Sequence, residues 1–220
     1  MKSIILIAPP AAGKGTEADI LKERYNIPHI STGDLLRKAA SSNTEEGLEI
    51  KEQLERGALV DDDVVVKLLR ERILEDDCKN GYILDGFPRT VMQARIYENM
   101  LKSIDKELGT IIYMDIDRET ARNRIIGRIS CPKCGKVYNT LVDGLKPQMD
   151  GICDTCHVAL YKRTDDTAST FDERFNTYID KTSKLIDYYK AKGLLQTVDS
   201  SISKEHTDLQ VERILKNDNN

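Results

Sequence analysis

An unbroken apolar run, Ser3 to Ala8 (SIILIA), stops at Pro9-Pro10 and leads through Ala11-Ala12-Gly13-Lys14-Gly15-Thr16 into a helical pattern. A run this short, with no polar residue between Ile4 and Ala8, is a strand buried on both faces, and such a strand needs helices packed above and below it. Lys14 to Tyr25 supplies the first helix, with Ile20 and Leu21 inward and Lys22, Glu23 and Arg24 outward. The rhythm then repeats. Strands are expected at Ile27–Ile30, Gly81–Asp85, Thr110–Asp115 and Leu194–Val198. Helices are expected after the caps at Ser31-Thr32 and Asp61-Asp62-Asp63, then over Thr90–Ile104, Arg118–Arg128, Thr170–Lys192 and Glu205–Lys216. Alternation of this kind marks an α/β protein built on a parallel sheet.

The 220 residues suit one medium domain with small inserts, and a chain of this length buries a core without disulfides. Charged residues at 32% and a formal charge of -4 speak against nucleic-acid binding through a broad basic face. No apolar run approaches the roughly 20 residues of a membrane helix, and the N-terminal run is too short for a secretory signal. A cytoplasmic protein is expected, without nucleic-acid or membrane partners, and nothing suggests more than a monomer. In a reducing compartment the cysteines read as metal ligands in preference to disulfides.

The loop from Ala8 to Thr16 has the placement that phosphate binding requires. Successive backbone N–H groups and a helix N-terminus face the anion, and a lysine reaches the terminal phosphates. Two residues depart from the usual pattern: Ala8 stands where the motif starts with Gly, and Gly15 where Ser or Thr meets Mg²⁺. Downstream, Tyr82-Ile83-Leu84-Asp85-Gly86-Phe87-Pro88-Arg89-Thr90 follows a strand end, the position where open α/β sheets hold ligands. An acid, a turn and an arginine there suit Mg²⁺ and phosphate. Ser31-Thr32-Gly33-Asp34-Leu35-Leu36-Arg37 and Gly57-Ala58-Leu59-Val60-Asp61, taken alone, are a capped helix and a turn.

Cys131 to Tyr161 breaks the rhythm, being rich in Cys, Gly, Pro and Asp. Cys131-x2-Cys134 and Cys153-x2-Cys156 are separated by residues 135–152, within the spacing of tetrahedral zinc sites. Four thiolates fill the coordination shell, so the expected Zn²⁺ is structural. The module has little apolar core, and metal binding would fold it.

Together, GKGT, STGDLLR, DGFPRT with Gln93, IIGR, the paired CxxC turns and RTDD followed by Arg174 resemble the adenylate kinases, specifically the bacterial long-lid type with a zinc-bearing lid. The resemblance covers essentially the whole chain, and Gly15 fits it, since these kinases read GKGT. It implies a P-loop nucleoside monophosphate kinase fold: a five-stranded parallel sheet wrapped by helices, with small monophosphate-binding and lid inserts. The implied division is a core of 1–30, 61–127 and 163–220, a monophosphate-binding segment of 31–60, and a lid of 128–162. It further implies reversible phosphoryl transfer from ATP to AMP, giving two ADP, with Mg²⁺.

Such transfer is chiefly positioning and charge neutralisation, which suits arginine forks and explains the lack of a nucleophile arrangement. By resemblance, Lys14 and the amides of Pro10, Ala11, Ala12, Gly13, Gly15 and Thr16 hold the ATP phosphates, with Arg128, Val137 and Tyr138 on the same side. Thr32, Arg37, Ala58, Leu59, Val60, Gly86, Phe87, Pro88, Arg89 and Gln93 form the AMP side. Arg163 and Arg174 join it, and with Arg128 close over the transferring group. Asp85 orients Mg²⁺ through its waters, and Asp34, Asp165 and Asp166 assist or hinge the lid. Two rivals stand beside this: a kinase for UMP or CMP, against which Thr32 and Gln93 argue, and a catalytically lapsed nucleotide-binding regulator, against which the retained Lys14 and arginines argue. Ala8 and Ala11 replace glycines usual in the loop, and weakened ATP binding is the expected consequence.

Overall fold

The computed structural model describes residues 3–55, 60–162 and 166–218. Its first strand, β1 (Ile4–Ile7), is buried along its whole length. Ile5 and Ile7 enter one apolar cluster and Ile4 and Leu6 the other, which is why the run carries no alternation. β1 leads into α1 (Lys14–Tyr25), β2 (His29–Ser31) and α2 (Thr32–Ala40). Next come α3 (Glu45–Glu55), α4 (Asp62–Ile73), a 3₁₀ turn (Asp76–Cys78), β3 (Ile83–Asp85) and α5 (Val91–Ser103). The second half holds β4 (Thr110–Asp115), α6 (Arg118–Ile126), the short strands β5 (Arg128–Ser130) and β6 (Val137–Asn139), α7 (Ala168–Ala191), β7 (Leu195–Asp199) and α8 (Lys204–Asp218).

The five-stranded sheet runs β2-β3-β1-β4-β7, and every pairing in it is parallel. Leu6 of β1 stands in register with Asp85 of β3, and Asp85 in turn with Ser31 of β2. The carboxyl ends of these three neighbouring strands therefore open onto one crevice, and the chain crosses to the other side of β1 only after β3. One face of the sheet is covered through Leu69, Ile73, Tyr97, Leu101, Leu185 and Tyr189, the other through Leu21, Ala121, Ile125, Phe171, Val211 and Leu215. Burial of each such large apolar side chain contributes about 1.5–3 kcal/mol.

The expected helices and strands are present with ends shifted by one or two residues, except in three places. α3 lies where no helix was expected. α6 stops at Ile126, not at Arg128, because Gly127 is pressed against β6: a Cβ there would lie 2.1 Å from Asn139 Oδ1. Third, β6 of the cysteine module pairs antiparallel with β5 just before it, and the module has a cluster of its own, in which Cys131, Tyr138 and Cys153 are buried with Ile129, Val158 and Leu160 packed on them. Among the described residues no helix is long and apolar enough to cross a membrane.

Candidate functional site

The helix that follows β1 begins differently from its neighbours. α2, α4, α5, α6 and α7 are each capped by a side chain, from Ser31, Asp61, Thr90, Asp117 and Thr167 respectively. α1 is preceded by Gly13, in the left-handed region with φ 87°, and no side chain caps it. Its first amides are thus left for an external anion, where the helix dipole favours negative charge. Ala11 is also left-handed, at φ 66°, a conformation that strains any residue with a Cβ.

Lys14, the first residue of α1, places its ammonium Nζ 2.8 Å from Asp85 Oδ1. The other carboxylate oxygen, Oδ2, lies 3.3 Å from His29 Nε2. Burial pushes the Asp85 pKa up, but the His29 hydrogen bond and the Lys14 charge outweigh it and hold the group at about 2. A cation and a fixed carboxylate therefore stand together at the end of β3, facing the uncapped helix.

Beside them, Gly86 adopts φ 83°, and an added Cβ would come within 3.1 Å of Thr32 Oγ1 and 3.4 Å of Arg89 Nη2. The turn thus needs glycine to bring Thr32 and Arg89 onto one spot. Arg89 donates from Nε to the Gly86 carbonyl at 2.7 Å, which fixes the guanidinium against the turn. Thr32 is buried, with its hydroxyl 3.5 Å from the Asp85 carbonyl. Phe87 and Pro88 are buried, and Phe87 meets Tyr97 edge-on at 5.9 Å. Gln93, on the first turn of α5, accepts from Arg89 N and donates to Asp62 Oδ1, both at 2.7 Å. Arg37 is exposed on α2 and pairs with Asp34, whose pKa that contact lowers. Val60 is buried against the core.

On the far side, Arg128 opens β5 and grips Asp166 with two hydrogen bonds, Nε to Oδ2 at 2.8 Å and Nη2 to Oδ1 at 2.6 Å. The Asp166 side chain is fully buried, so this fork-to-carboxylate contact ties the cysteine module to the segment leading into α7. Arg124, in the last turn of α6, donates instead to the carbonyls of Ser200 and Ser201 and braces the core. Arg174 is exposed two turns into α7. Val137 is exposed, whereas Tyr138 turns inward, its hydroxyl 3.5 Å from Cys153 Sγ and accepting from Asp154 N at 2.8 Å. Ala58, Leu59, Arg163 and Asp165 lie outside the described residues.

The four sulfurs of Cys131, Cys134, Cys153 and Cys156 fall within 4.8 Å of one another. Cys134 and Cys153 are 3.8 Å apart, which is the edge of a tetrahedron whose centre is about 2.3 Å from each thiolate. The amides of Lys133 and Cys156 point at Cys131 Sγ and Cys153 Sγ at 3.4 Å, as suits sulfurs carrying negative charge. This donor set fits a soft divalent ion.

Two functional contacts escape local sequence reasoning: His29 on Asp85, and Asp62 on Gln93. Each joins segments that are distant in sequence, and no motif spacing announces them.

A parallel sheet with an uncapped helix at the end of β1, a lysine on the acid closing β3, and an arginine beneath the next turn define a P-loop kinase acting on nucleoside monophosphates. The family model for adenylate kinase matches residues 6–194. The adenylate kinase of Kosmotoga olearia is 45% identical over 98% of this chain and 99% of its own. That of Thermosipho africanus is 41% identical over 97% and 99%, and that of Fervidobacterium nodosum 46% over 92% of each. The chain belongs to the adenylate kinase family.

Proposed function

We propose that the chain catalyses reversible, in-line phosphoryl transfer from ATP to AMP, giving two ADP, with the lid closing over both substrates. One observation carries the site assignment: the Lys14 ammonium at 2.8 Å from Asp85, beside the uncapped start of α1. The amides from Pro10 to Thr16 receive the donor phosphates, and Lys14 leaves Asp85 in part to reach them. Thr32, Arg37, Val60, Gly86 to Arg89 and Gln93 receive AMP, joined by Ala58 and Leu59. Arg128, Arg163 and Arg174 neutralise the moving phosphoryl group, with Val137 and Tyr138 belonging to the ATP side. Closure excludes water, which suppresses hydrolysis of ATP.

Mg²⁺ bound with ATP would offset the phosphate charge, and Asp85 is the carboxylate that would hold its waters. Zn²⁺ is the ion proposed for the four cysteines, as a structural staple of the lid. The division proposed is a core of 1–30, 61–127 and 163–220 carrying the 31–60 and 128–162 inserts. The working form is a monomer in the cytoplasm, a compartment that keeps the thiolates reduced.

Phosphorus NMR with Mg-ATP and, one at a time, AMP, GMP, CMP and UMP tests the reaction. ADP formed with AMP is expected. No diphosphate from any acceptor, with ATP still bound, would establish a lapsed enzyme, and CDP or UDP in preference to ADP would establish a pyrimidine kinase.

A further inference from the structure

Gln93 lies where a base-reading carboxamide must have its oxygen and nitrogen on defined sides, and the structure shows what fixes them. Its backbone N–H is held by the Thr90 hydroxyl at 3.1 Å, so the first turn of α5 is pinned. Its Oε1 accepts from the peptide N–H of Arg89 and its Nε2 donates to Asp62 Oδ1, both at 2.7 Å. A peptide N–H only donates, and a carboxylate only accepts. Rotating the amide by half a turn would set NH₂ against N–H and oxygen against carboxylate. Two repulsions would replace two hydrogen bonds, so one orientation survives. Asp62 is the first residue of α4, and like Gln93 it is half-buried, so water competes only in part for the contact.

We infer that Asp62 is a specificity-determining positioning residue, which sets the acceptor base by locking the Gln93 carboxamide in one orientation. The inference rests on Gln93 lying against the acceptor base, as the proposed function has it. With one lone pair of Oε1 and one hydrogen of Nε2 committed, the amide keeps one acceptor and one donor position. The adenine edge offers a donor at N6 and an acceptor at N1, which match that pair. The guanine edge offers an acceptor at O6 and a donor at N1, the reverse order. The locked amide accepts the first and meets the second like against like, with an unpaired polar group as the penalty. Arg89 contributes through its backbone, so one residue serves acceptor phosphate and acceptor base from its two ends.

The test compares kcat/KM for AMP and GMP in wild type, Asp62→Asn, Asp62→Ala and Gln93→Ala, each checked for folding by thermal melting. An asparagine at 62 can accept or donate, so it removes one of the two locks and leaves the Arg89 N–H alone to set the amide. The expected result is a fall of about tenfold in the AMP-to-GMP preference for Asp62→Asn, carried by KM for the monophosphates with KM for ATP unmoved. Asp62→Ala gives the same fall, Asp62→Glu recovers part of it, and in a Gln93→Ala background Asp62→Asn changes nothing further. Full preference in Asp62→Asn, with Gln93→Ala abolishing it, overturns the role of Asp62. An undiminished effect of Asp62→Asn in the Gln93→Ala background also overturns it, since Asp62 would then act by another route. No AMP preference in wild type, or full preference in Gln93→Ala, refutes instead the placement of the base on Gln93.

Discussion

Lys14 and Asp85 meet at 2.8 Å across the carboxyl ends of two adjacent parallel strands, one from the loop after β1 and one from the last residue of β3. The contact has two consequences: it holds in place the lysine proposed to meet the donor phosphates, and it helps keep low the pKa of a carboxylate that burial alone would raise. Lys14→Met is expected to lower kcat/KM by about a thousandfold or more, since in the proposed role its charge bears on the moving phosphoryl group. Steady-state rates with Mg-ATP and AMP measure this, and a loss below tenfold would place the lysine outside the transition state.

The same pair sets an acid limit on stability. The Asp85 pKa lies at about 2, below its unfolded value, so its contribution is whole above about pH 4 and disappears as pH falls toward 2. Its size is about 2 kcal/mol, the side chain being 17% exposed. Asp85→Asn should therefore flatten the acid limb of a urea-denaturation series taken between about pH 5 and pH 2.5. An unchanged slope would mean that other carboxylates govern acid unfolding.

Ala11 should gain from becoming glycine. At φ 66° its Cβ costs about 1 kcal/mol, partly offset by the greater unfolded-state freedom of glycine. Ala11→Gly is expected to be neutral to stabilising by about 0.5 kcal/mol and to tighten ATP, because the loop no longer resists the curvature that brings its amides onto phosphate. Ala8 is absent from the positive-φ residues, so Ala8→Gly should only lose stability. Melting curves with and without ATP compare the two, and equal effects would show that strain at Ala11 is not the cause.

Glu17 imposes the opposite pH dependence from Asp85. It is 2% exposed on α1, and its Oε1 accepts no hydrogen bond among the described residues. Burial first, then the nearby Asp208 carboxylate, raise its pKa to about 7, against a smaller pull from Arg24. The folded chain thus holds a proton that the unfolded chain releases between about pH 4.5 and 7. Stability falls as pH rises through that interval, by about 2–3 kcal/mol, and the deficit stands in full above it. Glu17→Gln should stabilise at about pH 8 by at least 1 kcal/mol and have little effect at about pH 5. Equal shifts at both pH values would show that Glu17 is ionised throughout.

Much of this was legible in the sequence because it is local. The run Ile4 to Ala8, the helix Lys14 to Tyr25 and the strand Thr110 to Asp115 follow from periodicity and from Gly and Pro punctuation. What stayed hidden depends on tertiary contact. α3 begins Glu45-Glu46-Gly47, and a glycine in its first turn blunts the helical signal; it forms because the chain there folds back on α2, where a Cβ on Gly47 would lie 2.7 Å from the Ala39 carbonyl. Arg124 and Arg128 look like one helical pair until Asn139, arriving from β6, ends the helix between them by donating to the Arg124 carbonyl. The motifs named Asp85 and Gln93, but not the His29 and Asp62 that orient them.

The cysteine cluster makes the sharpest claim about folding. Its apolar core is small, three buried residues of which two are ligands, so without metal the module has little to hold it. Removing zinc should unfold 131–161 while leaving the parallel sheet intact, because neither sheet face draws on the module. The purified protein is expected to carry about one equivalent of zinc. Chelation, or Cys153→Ser, should open the module to protease with far-ultraviolet circular dichroism nearly unchanged. Activity should fall with it, since Arg128 is held at the base of the module by β5 and by Asp166. Protease resistance that survives complete zinc removal would mean that the β5–β6 pair and the Tyr138 contacts fold the module unaided.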